Sequence, residues 1–224
     1  MDALWSILTL IGSALCHQFP ERSYVLGDLQ MPLCARCIGI HAGFLLSSII
    51  MWTGARRYAS GMQSRKVLLV LAAVVLSGFV LALISYLGLG FDNNASRTIS
   101  GLLIGIPMPF VVVPILNSIL FPGRNTRIPL STPLDYAMIV AAYALGAAMI
   151  LMASSSIFLF YAVSVIGIAG LLVFIFTMVS LLVAILTDEK HWTNRKRMIV
   201  SAVASIVLLS LLTAGHRLLL PYPV

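Results

Sequence analysis

The side chains best suited to chemistry lie in one window near the start of the chain. Cys16 and His17 are neighbours, and Cys34 and Cys37 form a Cys-x-x-Cys pair, so all three cysteines and one of the four histidines fall within 22 residues. Thiolate and imidazole are the usual protein ligands of zinc and related metals, whereas a Cys-x-x-Cys pair can also cycle between dithiol and disulfide. The window therefore predicts a metal site, a redox site, or three reduced thiols that only pack as small apolar side chains.

Cys16, His17, Cys34 and Cys37 together would complete the coordination of one zinc ion, which accepts four such ligands in a tetrahedron. If a helix begins just before Cys34, that residue shares one stripe with Cys37 and His41 and can face the Cys16-His17 pair. We therefore predict that Cys16, His17, Cys34 and Cys37 bind zinc or a similar transition metal. A closed ligand set would make the ion structural, and an open fourth position would let it activate water.

The composition is that of an integral membrane protein. Of 224 residues, 60% are apolar and only 9% are charged, and the mean hydropathy is +1.05, whereas soluble domains carry roughly 25% charged residues. Five apolar runs reach the roughly 20 residues that a bilayer requires, and two earlier runs are shorter: 68–89, 98–120, 134–152, 157–186 and 198–219, preceded by 3–15 and 38–52. We expect one all-α membrane domain over residues 1–224, a bundle of about seven transmembrane helices with the first two short and no soluble domain.

The basic residues favour one orientation in the membrane. Ten of the fourteen Lys and Arg residues lie in the segments 54–66, 121–133 and 187–197, and such residues collect on the cytoplasmic side. We therefore expect a cytoplasmic N-terminus, with the cysteine segment 16–37 and the C-terminus outside the cytoplasm. This topology accounts for the net charge of +7 without a nucleic-acid partner.

A second candidate site consists of polar residues on the same predicted outer face: Arg22, Arg36, Asp92, Asn94 and Arg97. Ion pairs between the arginines and the carboxylates of Glu21, Asp28 and Asp92 are one interpretation, because arginine pairs readily with carboxylates. The other is a pocket in which guanidinium groups bind a phosphate or carboxylate, such as a lipid headgroup or a lipid-linked phosphate. The sequence leaves both open.

The run 98–120 contains residues that interrupt helices. Gly101 and Gly105 are four residues apart, and Pro107, Pro109 and Pro114 each lack the backbone N–H that an α-helix uses. We expect a kink or break there, inside the bundle, where other groups can satisfy the freed carbonyls. The glycines indicate either close helix packing or the wall of a cavity.

Three stretches of the chain resemble a known family. Residues 16–23 (CHQFPERS), 32–40 (PLCARCIGI) and 92–97 (DNNASR) with Gly101 and Gly105 are similar to the prokaryotic membrane family catalogued as domain of unknown function 2085. The resemblance implies a multi-pass protein of the bacterial or archaeal cell (inner) membrane, and it implies no established activity. His41 stands where that family often has an aromatic residue.

These observations leave three hypotheses for function. The first is a metal-binding membrane protein whose zinc site lies beside an arginine- and aspartate-lined pocket for an anionic lipid or a lipid-linked phosphate. The second is a thiol–disulfide oxidoreductase in which Cys34 and Cys37 exchange electrons with a quinone and Cys16 acts as a relay. The third is a carrier or lipid-binding protein without catalysis. The sequence does not decide whether the protein is an enzyme.

Overall fold

A computed structural model describes residues 3–90, 92–122, 127–187 and 192–219, which form a bundle of α-helices. The helices are α1 (Ala3–Gly12), α2 (Ala35–Trp52), α3 (Arg65–Tyr86), α4 (Asn94–Gly105), α5 (Pro109–Leu120), α6 (Pro133–Leu151), α7 (Ile157–Leu186) and α8 (Asn194–Leu219). The described elements also include an antiparallel hairpin of β1 (Val25–Leu26) and β2 (Leu29–Gln30), and three 3₁₀ segments, Pro20–Arg22, Gly54–Tyr58 and Ala153–Ser155. The expected all-α class is confirmed.

Six described segments are long and apolar enough to cross a membrane, with α4 and α5 counted together as one of 27 residues. The second helix, expected to be short, has 18 residues because it begins at Ala35, inside the cysteine segment. The first, α1, has 10 residues and covers about 15 Å, half the hydrocarbon thickness of a bilayer. In the described residues, the expected bundle of about seven helices is therefore six long apolar segments plus one short helix. The expected cytoplasmic N-terminus, with α1 crossing the membrane, stays a prediction.

The spans differ in how far the protein itself encloses them. Within the protein, 56% of the α2 span and 61% of the α4–α5 span are buried, against 6% of α3 and of α8. The apolar side chains exposed on α3 and α8 suit contact with lipid chains, which are as apolar as leucine. The helices that carry Cys37 and Arg97 are thus the enclosed ones.

Glycines bring α2 and α4 into backbone contact. A Cβ atom built at Gly101 would lie 2.3 Å from the carbonyl oxygen of Arg36, and one at Gly105 would lie 2.1 Å from that of Ile40. No side chain fits at such distances, so the packing interpretation of these two glycines is confirmed. The helical span is interrupted at residues 106–108, between α4 and α5, as its prolines predicted.

At the end of the bundle opposite the cysteines, Asp135 joins α6 to the segment Gly54–Tyr58. Its carboxylate is buried and accepts hydrogen bonds from the backbone N–H groups of Ser131 at 2.9 Å and Thr132 at 2.7 Å. The Nε of Arg56 donates to the same carboxylate at 2.9 Å. Asp135 also completes a capping box with Thr132 at the start of α6, so one side chain fixes both a helix terminus and a loop.

Candidate functional site

The three cysteines meet at one point near the N-terminus of α2. The Sγ atoms of Cys16, Cys34 and Cys37 all lie within 4.8 Å of one another, and none of these residues forms a disulfide. The backbone N–H of Cys34 donates a hydrogen bond to the Sγ of Cys16 at 3.1 Å, and Cys16 is only 2% exposed. Three soft donors from two separate segments of the chain are therefore brought together in a largely enclosed place.

The end of α1 places Cys16 against the start of α2. The backbone N–H of Cys16 continues the last turn of α1 by bonding to the carbonyl of Gly12 at 3.1 Å. Gln18, which adopts a left-handed conformation with φ 54°, donates from Nε2 to the carbonyl oxygens of Thr9 and Pro32, both at 2.8 Å. A Cβ at Gly12 would lie 2.1 Å from the Pro32 oxygen. Glycine and glutamine together thus hold the two cysteine-bearing segments in contact.

The hairpin loop between α1 and α2 is also bonded to α4. The hydroxyl of Tyr24 lies 2.9 Å from the Oγ1 of Thr98 and donates to the carbonyl of Asn94 at 3.2 Å. The Nδ2 of Asn94 donates to the carbonyl of Ser23 at 3.0 Å. Burial raises the pKa of Tyr24, so its hydroxyl keeps its proton and its role as donor. The loop that carries Cys16 is therefore fixed to two helices.

Negative charge within the cluster is concentrated on Cys34. This residue is the N-cap of α2, where backbone N–H groups and the helix dipole favour an anion. Hydrogen bonds from the thiol of Cys16, then from that of Cys37, and from the backbone N–H groups of Cys37 and Arg36 hold the pKa of Cys34 far below its ordinary value. Because its thiol donates to Cys34, the pKa of Cys16 is raised. Of the three sulfur atoms, that of Cys34 is therefore the one whose thiolate form is most favoured.

The predicted fourth ligand, His17, is not part of this group of sulfur atoms among the residues the structure describes. Its ring is exposed and stacks on Phe19 at 5.7 Å between centroids, and it meets the edge of His216 at the same distance. His41 is also outside the group: it is buried in α2, with its ring 5.5 Å from that of Phe174. The structure therefore joins three of the four predicted ligands.

Three of the predicted polar residues form one hydrogen-bonded network. Arg97 is 7% exposed and donates from Nη2 to Asp92 at 2.6 Å, and from Nη1 to the carbonyl of Glu21 at 3.1 Å and to Asn94 at 3.2 Å. A hydrogen bond from Ser85, and then the charge of Arg97, lower the pKa of Asp92. The guanidinium of Arg97 is thus already used within the chain.

Arg22 and Arg36 are bound less tightly. Arg36 is half-buried and donates to the Oγ of Ser100 and to the carbonyl of Ala82, each at 3.4 Å, which is long for a hydrogen bond. The guanidinium carbon of Arg22 lies 5.6 Å from the ring centre of Phe19. In the described ranges neither arginine forms an ion pair with a carboxylate. Of the five predicted polar residues, these two retain the capacity to bind an anion.

Sequence reasoning missed the residues that hold the loop in place, chiefly Gln18, Tyr24 and Gln30. Gln30 donates from its amide to the carbonyl of Gln18 and to the Oγ of Ser23. Long-range hydrogen bonds of this kind leave no periodic signal in a sequence. The left-handed backbone conformation of Gln18 could not be predicted from the sequence either, because a positive φ is uncommon for any residue other than glycine.

Comparison with known proteins concerns mainly the part of the chain that contains the cysteines. An uncharacterized protein of Methanocaldococcus jannaschii is 27% identical over 121 residues, which cover 52% of this chain and 76% of that protein. No solved structure matches the chain. One family model matches residues 16–111, the part that contains the three cysteines and all of α4. Over that segment, the resemblance of this chain to the family described as "Predicted membrane protein (DUF2085)" is therefore confirmed.

Proposed function

We propose that Cys16, Cys34 and Cys37 bind a transition metal, with zinc as the best match to these donors, on the outer face of the membrane. The observation that carries the proposal is the approach of their three sulfur atoms to within 4.8 Å of one another. Zinc–thiolate bonds of about 2.3 Å separate sulfurs in a tetrahedron by about 3.8 Å, so small side-chain movements would suffice. The excess of basic residues at the other end of the bundle supports the outer placement.

The fourth ligand decides between two roles for this centre. His17 follows Cys16 directly and is exposed, so its imidazole is the candidate closest along the chain. Coordination by His17 would close the site, and the ion would then join the loop after α1 to the start of α2. If His17 stays stacked on Phe19, the fourth position is open, and bound zinc supplies an activated water.

An open site would act on an anion held by the two available arginines. Arg36 lies within the Cys-x-x-Cys pair and Arg22 lies in the adjoining loop, and planar guanidinium groups suit a phosphate. The substrate class that fits is an anionic lipid or a lipid-linked phosphate at the membrane surface. Asp92, Asn94 and Arg97 would form the wall of the pocket, because they already bond to one another.

Metal analysis of the purified chain in detergent tests the proposal. We expect about one zinc ion per chain, and near-complete loss of zinc in Cys16→Ala, Cys34→Ala and Cys37→Ala. Gln30→Ala is the matched control, since it loosens the same loop without removing a sulfur and should retain the metal. Lower zinc affinity in His17→Ala would indicate a closed site, and unchanged affinity an open one. A wild-type chain that takes up no zinc while all three thiols are reduced would contradict the proposal.

A thiol–disulfide oxidoreductase is the second candidate, and the position of Cys34 at the N-terminus of α2 favours it, because such positions stabilise a reactive thiolate. Oxidation would convert two of the thiols into a disulfide and pass two electrons and two protons to a quinone, which becomes a quinol. Thiol trapping separates the candidates. Thiolates that react only after chelation indicate a metal site, whereas thiols that react only after reduction indicate a disulfide.

A further inference from the structure

A cavity of about 630 Å³ lies at the end of the bundle opposite the cysteines. It is bounded by the C-terminal ends of α2 and α5, the segment Gly54–Tyr58, the last part of α7 and the first turns of α8. Pockets that enclose small molecules are typically about 300–1,000 Å³. Its polar lining residues come from four of these elements: Arg57, Asn117, Ser180, Arg197 and Ser201. No acidic side chain is among the described residues that line it.

Arg197 gives this cavity a buried positive charge. The residue is 2% exposed, and it donates from Nε to the Oγ1 of Thr187 at 2.9 Å and from Nη2 to the carbonyl of Thr187 at 2.7 Å. Within the described part of the chain, no carboxylate forms an ion pair with it. Burying a cation without an anionic partner costs free energy, so an anion in the cavity would stabilise this guanidinium.

Arg57 adds a second cation at the edge of the same cavity. Its guanidinium carbon lies 5.1 Å from the ring centre of Tyr58, and the side chain is exposed. The carbonyl of Arg57 accepts a hydrogen bond from the Nδ2 of Asn117 at 3.3 Å, and that of Ala59 accepts another at 2.9 Å. Asn117 thus fixes the backbone beside Arg57 against α5. The guanidinium itself stays available for a ligand.

Ser180 supplies an independent sign of a missing partner. It is 7% exposed, it lines the cavity, and its Oγ has no hydrogen-bond partner in the ranges the structure describes. Most buried polar atoms are hydrogen-bonded, so a buried hydroxyl of this kind calls for an explanation. By contrast, the hydroxyl of Ser201 donates to the carbonyl of Arg197 at 2.8 Å. An anion accepting from Ser180 would satisfy this hydroxyl of the cavity wall, which is unpaired in the described residues.

The rest of the lining is mainly aromatic and aliphatic. Trp52, Tyr58 and Phe121 lie where α2 and α5 end, and Phe176 lies further inside α7. Trp and Tyr side chains concentrate at the membrane interface, where lipid headgroups meet their chains. A ligand that matches the whole cavity therefore has an anionic group near the two arginines and an apolar part among the aromatic rings.

We propose that this cavity binds the phosphate group of an anionic amphiphile, with Arg57 and Arg197 contacting the phosphate oxygens and Ser180 donating a further hydrogen bond. The planar fork of arginine suits bidentate contacts to phosphate, and an excess of basic residues at this end attracts anionic lipid. The cavity shares no residue with the cysteine cluster. An experiment can therefore contradict the proposed phosphate site without contradicting the proposed metal centre.

The test titrates the purified chain in neutral detergent with short-chain phosphatidylglycerol or phosphatidylcholine that carries bromine near the headgroup. Bromine quenches nearby tryptophan fluorescence, and the signal assigned to the cavity is the part that Trp52→Phe removes. We expect phosphatidylglycerol to bind at least about tenfold more tightly, as charged hydrogen bonds imply. Inorganic phosphate added without lipid forms a third arm. Competition by phosphate at similar concentrations would support the phosphate site and identify a soluble source for the ligand.

Substitutions then separate this site from general attraction of anions to a basic surface. Arg57→Ala should weaken phosphatidylglycerol binding about tenfold, and Ser180→Ala about fivefold. Arg195→Ala is the matched control: it removes the same charge from an exposed position in the first turn of α8, outside the cavity, and should leave binding unchanged. Equal affinity for the two lipids, or equal losses in Arg57→Ala and Arg195→Ala, would overturn the proposal.

Discussion

The two ends of the bundle differ in how fully their polar side chains are hydrogen-bonded. At the cysteine end, Gln18, Tyr24 and Arg97 are bonded to the backbone or side chains of neighbouring segments. At the other end, Arg197 and Ser180 line a cavity with unmatched charge and an unpaired hydroxyl among the described residues. The first arrangement holds donor atoms in fixed positions. The second leaves bonding capacity that a ligand can satisfy.

The largest expected effect concerns the contact that makes the cysteine end rigid. Gly101→Val would place side-chain atoms where the carbonyl of Arg36 lies, 2.3 Å from the built Cβ, and should destabilise the protein by about 3 kcal/mol. Thermal unfolding in detergent measures this. Gly215→Val is the control, since nothing lies within 4 Å of a Cβ there. Equal melting temperatures for the two variants would show that the contact does not restrain the helices.

A comparison of two aspartates, one at each end, tests how far the difference between the ends extends. Asp135 is buried against Arg56 and two backbone N–H groups, so Asp135→Ala should cost about 3 kcal/mol of unfolding free energy, as breaking a buried pair does. The side chain of Asp92 is 45% exposed in its pair with Arg97, and Asp92→Ala should have a smaller effect. Denaturant or thermal unfolding measures both. A larger loss for Asp92→Ala would reverse the ranking.

Removing one hydroxyl tests how the loop is held. Tyr24→Phe deletes the bonds to Thr98 and Asn94 and should lower stability by about 1 kcal/mol. It should also speed the reaction of the cysteines with a thiol reagent, because the loop that carries Cys16 then opens more often. Tyr86→Phe, at a side chain that is 74% exposed, should change neither the stability nor the rate of the thiol reaction. Unaltered thiol reactivity in Tyr24→Phe would show that the hairpin is held by other contacts.

The smallest effect expected is a dependence on pH at the cysteine end. The hydrogen bond from Ser85 and the charge of Arg97 lower the pKa of Asp92 in the folded protein. Its contribution to stability is therefore present above its ordinary pKa of 3.8 and is lost as the pH falls through the lower, folded pKa. Melting temperatures between neutral and strongly acidic pH should fall less steeply in Asp92→Asn than in the wild type. Parallel curves of melting temperature against pH for the two proteins would show that Asp92 does not cause the pH dependence.

Much of the fold follows from the sequence because a bilayer imposes simple requirements. Apolar length predicts the spans, and Pro107 and Pro109 predict the break at residues 106–108, whereas Pro114 lies within α5. The length of α1 was harder to judge, because the apolar run 3–15 continues beyond Gly12, where the helix ends. Its end depends on contacts with Pro32 and Gln18, which no local pattern reveals.

The candidate site was predictable in residue types and in part of its geometry. The spacing of Cys34 and Cys37 indicates one helix face, and the structure brings Cys16 to that face as expected. Adjacent residues in a loop need not point the same way, and His17 packs on Phe19 instead. The cavity at the other end had no sequence signal at all, since its lining residues are scattered from Trp52 to Ser201.

The glycine contact between α2 and α4 also determines which parts of the protein can move relative to each other. With carbonyl oxygens of α2 lying where Cβ atoms of α4 would stand, the two helices cannot slide or rotate against each other without losing contact. The cysteines at the start of α2 and the Arg97 network on α4 therefore belong to one rigid unit. The nearest interruption of helical backbone after this contact is at residues 106–108, between α4 and α5.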